Sequence, residues 1–204
     1  MALVKYNNNS ISAVTSASSI PSGALTHIKT LTASSSATLS FVHGSGGVDF
    51  STYKEYVFTF KGIHPATDNA DFMFNMSVDA GSNYNVAKTT TVTRAYHNEG
   101  DSQAALDYVA ADDLAQGTGF QQLSQEVGND NDQTTSGYLH LFNPSSTTFV
   151  KHFTSNTNCY NNQNYTLHWL VAGYGNTTSD VDAVQFKMAS GNIDAGDICL
   201  YGIA

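Results

Sequence analysis

Charge is what this sequence has least of. Lys, Arg, Asp and Glu make up 12% of its 204 residues, about half the share usual in globular domains. The eight basic residues are scattered, with no Lys/Arg run, and the formal net charge is −9. A DNA- or RNA-binding surface needs clustered positive charge, so nucleic acid is excluded as a partner. Scarce Lys and Glu also remove good helix formers, while abundant Thr, Val and aromatic residues favour strands. Cysteine occurs only at Cys159 and Cys199, without a CxxC pattern or a zinc-finger His spacing. That leaves two reduced thiols or a single disulfide. No apolar run approaches the ~18 residues that a membrane span requires. Residues 1–10 lack the ~7–15-residue apolar core of a secretory signal. The expectation is a chain made in a cytoplasm that stays soluble.

Catalytic motifs are missing as well. There is no G-x-S-x-G elbow, no P-loop, no dinucleotide-binding glycine pattern and no H-E-x-x-H. Only Glu55, Glu99 and Glu126 are glutamates, and most aspartates stand at turns, where a carboxylate ordinarily bonds its own backbone. Glycoside hydrolysis would need two carboxylates facing one groove, and no such pair stands out. The chain reads as non-enzymatic, without a cofactor.

What is present is strand periodicity. Tyr56, Phe58 and Phe60 alternate with Val57, Thr59 and Lys61, and Phe72, Phe74, Met76 and Val78 alternate with Met73, Asn75, Ser77 and Asp79. Each run therefore places apolar groups on one face. Gly62 to Asn69, with Pro65 at its centre, reads as the turn between them, so the two runs are expected side by side in the middle of one sheet. Further strands are expected at Leu25–Leu31, Ala37–Phe41, Thr89–His97, Tyr138–Phe142, Thr148–Phe153, Tyr165–Val171, Val184–Met188 and Ile198–Tyr201. Asp101–Ala111 reads as a short helix with an N-cap at Asp101 or Ser102, and residues 112–136 as one long surface loop. Roughly nine or ten short strands with frequent turns imply an all-β fold, a single jelly-roll-like antiparallel β-sandwich over 25–204. Residues 1–24 form an N-terminal arm whose isolated apolar residues cannot offset its ordering entropy alone.

Four sets of residues carry candidate chemistry. Leu3, Val4, Tyr6, Ile11, Val14 and Ile20 are the arm's docking residues. Tyr84, Tyr160 and Tyr165 stand near Asn-rich turns, and ring faces flanked by amides suit a glycan. Asp130 and Asp132 alternate as oxygen ligands of a calcium loop do, but without the closing bidentate Glu. His140, His152 and His168 fall on three late strands in inconsistent phase, so no metal site is assigned.

Several stretches, taken in order, resemble uncharacterised virion structural proteins of tailed bacteriophages, particularly those of marine bacteria and cyanobacteria. They are residues 2–8, 28–41, 52–60, 64–68 and 79–84, then 191–193 and 200–203. The resemblance implies a virion component, made in the host cytoplasm, with a β-sandwich body displayed in symmetric copies, a homotrimer being the simplest. The most concrete expectation is a capsid decoration or cement protein held by its arm, with the major capsid protein or tail components as partners. The alternative is a tail-fibre or tail-tip receptor-binding module that grips a host glycan.

Overall fold

A computed structural model describes residues 24–204 and shows an all-β protein of two antiparallel sheets. Eight strands pair in a nested order: β1 (Leu25–Thr32) with β12 (Ile193–Ile203), β2 (Leu39–Val42) with β11 (Ala183–Met188), β3 (Glu55–Pro65) with β8 (Thr135–Phe142), and β4 (Ala70–Ser77) with β7 (Gln121–Val127). Successive pairs alternate between sheets, giving β1-β12-β3-β8 in one and β2-β11-β4-β7 in the other. This nesting is the jelly roll. The other strands, β5 (Lys88–Asn98), β6 (Ala104–Tyr108), β9 (Lys151–Tyr160) and β10 (Tyr165–Gly175), come from two connections. They extend the larger sheet to eight strands beyond β8, in the order β9-β10-β5-β6.

The two aromatic runs build the core, though not as neighbours. β3 belongs to the large sheet and β4 to the small one, so Tyr56, Phe58 and Phe60 face Phe72, Phe74 and Met76 across the sandwich. The expected adjacency in one sheet is thus corrected, because burying both aromatic faces requires them to oppose each other. Phe186 of β11 sits at the centre, 5.3 Å from both Phe58 and Phe60 and 5.9 Å from Phe72 between ring centroids. Such aromatic pairs add about 0.5–1.5 kcal/mol each beyond their buried area. Val78 lies past the end of β4 and is exposed, against its expected place in this face.

Three other readings change. Gly62 does not open a turn: β3 continues to Pro65 through a bulge in which Gly62 has φ +56°. Opposite it, Gly196 of β12 has φ +113°, and a Cβ there would stand 2.5 Å from the Gly62 carbonyl. A positive-φ glycine serves a bulge as well as a turn. The expected helix at 101–111 is the edge strand β6, because pairing with β5 from His97↔Ala104 to Thr93↔Tyr108 overrides local helix preference. The expected 112–136 loop contains β7, whose Gln121, Gln122 and Ser124 are buried polar residues. Side-chain bonds explain the burial of two of them: Gln121 accepts from Thr90 (2.7 Å) and Ser124 from Thr135 (3.0 Å). The arm residues Leu3, Val4, Tyr6, Ile11, Val14 and Ile20 lie outside the described residues.

Candidate functional site

The large sheet outgrows the small one, and a cleft opens where the cover ends. Along the inner side of β5, Val92 is fully buried, but Arg94 and Tyr96 are only half-buried. These two side chains, with Leu167 and Tyr165 of β10, form one wall of a cavity of about 170 Å³. Glu126 of β7, Gln103 of the β5–β6 turn, and Asn161 and Gln163 of the β9–β10 turn complete the lining. The size admits one ring-sized polar ligand and falls below the ~300–1,000 Å³ of drug-sized sites.

Two features hold the cleft in shape. β7 carries one extra residue between Ser124 and Val127 relative to β4, and this bulge gives Glu126 a left-handed φ of +52°. A bulge re-aims a side chain, and a non-glycine left-handed residue costs about 1–2 kcal/mol. The strained residue is fixed on both sides: its N–H donates to Asp71 Oδ1 (2.9 Å) and its carbonyl accepts from the Asn162 N–H (3.1 Å). On the opposite wall Arg94 stacks 5.2 Å from the Tyr96 ring centroid and donates from Nη1 to Gln125 Oε1 (2.9 Å). Its Nε reaches Asp107 Oδ2 at 3.4 Å. Tyr96 and Tyr165 meet edge to face at 5.6 Å, and the Tyr165 hydroxyl donates to Gln103 Oε1 (2.7 Å).

Acid gathers behind this wall. Burial pushes the Asp71 carboxyl above its ordinary pKa. Asp112 is also raised, first by burial and then by the nearby Asp71 carboxylate, with Arg94 opposing the shift. Ring faces, amides, one guanidinium and one carboxylate around a small cavity can hold a polyhydroxylated ring by stacking and by bidentate hydroxyl contacts.

The structure brings together part of the expected tyrosine set. Tyr165 lines the cleft. Tyr160, across the β9–β10 turn, faces the other side of the sheet and borders a separate hollow with His97, Glu99 and Asn158. Tyr84 is at the far end of the small sheet, where its carbonyl accepts from Asn75 (2.6 Å). Asp130 and Asp132 are exposed, and the Asp130 N–H bonds Gln133 (3.2 Å) in a closed turn. Among the described residues no group of three or more His, Cys, Asp or Glu is placed to hold a metal ion. His140, His152 and His168 share the outer face of adjacent strands, correcting the expected mismatch of phase. They sit at different heights, opposite Thr154, Tyr174 and Asn158. Cys159 and Cys199 are both free and buried, on opposite faces of the large sheet.

Arg94, Tyr96, Gln103 and Glu126 escaped the sequence reading, although rarity marked two of them: Arg94 is the chain's single arginine and Glu126 one of its three glutamates. No family model, curated protein or solved structure matches this chain.

Proposed function

We propose that this chain is a non-enzymatic structural component of a tailed-phage virion, a capsid decoration or cement protein displayed on the particle surface. A jelly roll hosts many functions and carries none by itself. What supports the reading most is the outer face of β8, β9, β10, β5 and β6. On a chain of net charge −9, the outward positions of these five strands include no Asp, Glu, Lys or Arg. Interface centres are depleted of charge and enriched in aromatic residues, and this face presents Tyr108, Tyr138 and Leu170. Residues 1–24 would bind the major capsid protein while the sandwich projects.

Immunogold labelling of intact particles, with an antibody to the folded domain, tests the proposal. Regular gold over the head is the expected result, and particles without gold would refute a virion role. Gold confined to the tail would favour a second reading, for which the cleft at Arg94, Tyr165 and Glu126 argues: a receptor-binding module that takes a terminal sugar of a host glycan. In that case glycan-array binding would be lost in both Arg94→Ala and Tyr165→Ala.

A further inference from the structure

The charge-free face has a shape as well as a composition. Directly paired residues share a face, so one cross-strand row runs Tyr108, Thr93, Leu170, Asn156, Tyr138 from β6 to β8. Leu106, on the neighbouring row, is 78% exposed, and Tyr108 56%. Beside these knobs lie two hollows on the same face. One, of about 280 Å³, is floored by Thr93, Thr154 and Ala172 between Tyr138 and Leu170. The other, of about 360 Å³, is bounded by Thr91, His152 and Tyr174. Knobs and hollows therefore occur side by side on one patch.

We infer that this patch is a two-fold contact between two copies of this chain, packed sheet to sheet. The inference rests on the reading as a multi-copy particle protein only for its biological use. Charge selects the occupant. A surface with net charge −9 repels its own copies, except where a charge-free face meets another charge-free face. A heterologous contact would press this face against charged surface and desolvate charges without partners. Charge returns at the rim, at Glu55 beside His140, at Glu99 beside Tyr160, at Asp101 beside His97 (3.0 Å), and at Asp113, which accepts from the Tyr108 hydroxyl. That is the polar border of a specific interface.

Size agrees with this assignment. Five strands at ~4.8 Å spacing and about ten residues at ~3.4 Å rise cover on the order of 700 Å² per copy. Two copies would bury on the order of 1,400 Å², within the range of stable specific interfaces. Leu106 and Leu170 of one copy enter the hollows of the other, and the two-fold repeats each contact.

Sedimentation equilibrium of the full chain at pH 8 tests the inference. The expected result is a mass of twice 21.8 kDa at micromolar concentration. Leu106→Glu and Leu170→Glu should each weaken association by roughly 30-fold or more, while Val78→Glu, just past the end of β4 in the small sheet, should leave it unchanged. Leu106 is exposed enough that its variant keeps the fold, which circular dichroism checks. A monomer at about 100 µM, a trimer, or a dimer indifferent to both leucine variants would overturn the inference. A monomeric protein that still decorates phage heads would sink this contact alone, and a dimer absent from particles would sink the virion reading alone.

Discussion

Lys88 opens β5 with its side chain fully buried between the sheets. Its Nζ donates to Asn75 Oδ1 (2.5 Å) and to the Val86 carbonyl (2.8 Å). Two acceptors satisfy the two N–H groups of a neutral amine, whereas an ammonium would keep a third N–H and an unpaired charge in the core. Burial accordingly pushes the Lys88 pKa from 10.5 down to about 7. The unfolded chain keeps the proton up to its ordinary pKa, while the native state sheds it near neutrality. Between those values the unfolded state binds more protons, so stability rises with pH; below about 7 both states are protonated and this group contributes no slope.

From pH 7 to pH 9 the linkage is worth about 2 kcal/mol, allowing for half-protonation of native Lys88 at the lower limit. With a urea m-value of about 2 kcal/mol/M, the unfolding midpoint should rise by roughly 1 M. Cys159, whose thiol burial pushes up to about 11, opposes the rise only as pH approaches its ordinary value of 9.0. Lys151 is buried on three carbonyls and its pKa is also lowered, chiefly by burial, so it adds slope of the same sign. Lys88→Met isolates the Lys88 contribution. The variant leaves the Val86 carbonyl without its partner, so its absolute stability is not the readout; its pH slope is. Midpoints from urea titrations at half-unit pH intervals should climb steeply in the wild type and clearly less in Lys88→Met, which keeps only the smaller slope from Lys151. A level wild-type profile, or a variant with the full wild-type slope, would refute the picture of a neutral buried amine.

Two further outcomes follow from the packing. Phe186→Ala removes the ring that touches five other phenylalanines of both sheets and should cost about 3–5 kcal/mol, read as a lowered urea midpoint with an unchanged m-value. Glu126→Gly should raise stability by about 0.5–1 kcal/mol by relieving the left-handed backbone, read from the same titration. A loss of stability in that variant would mean that the Glu126 side chain contributes more than its backbone costs.

Much of the fold was legible where hydrophobicity alternates at a period of two. Tyr56-Phe58-Phe60 and Phe72-Phe74-Met76 announce both their strands and their buried faces. Which strands pair was less legible, because Pro65-Ala66-Thr67-Asp68-Asn69 can close a hairpin or carry the chain from one sheet to the other with the same residues. The edge strand β6 was hidden by Ala104, Ala105 and Leu106, good helix formers that a neighbouring strand overrules. β7 was hidden more deeply. Its inward Gln121 and Ser124 satisfy their polar atoms inside the sandwich, so the pattern that signals burial elsewhere is absent.

The candidate surfaces show where a one-dimensional reading ends. In β5, Val92, Arg94 and Tyr96 point inward, while Thr91, Thr93, Ala95 and His97 point outward. The alternation is plain in the letters, and so is the contrast between a side that bears the only arginine and a side without charge. The letters do not tell where the opposing sheet stops. Val92 becomes core because β7 and its neighbours cover it. Two residues further on, that cover has ended, and the same inward side becomes a cleft whose Arg94 must find Asp107 and Gln125 as partners. Among the described residues, the outward side meets no second sheet. One strand thus supplies both the cleft that could take a sugar and the face that could take a sister copy. The division between them is set by strand order, not by residue type.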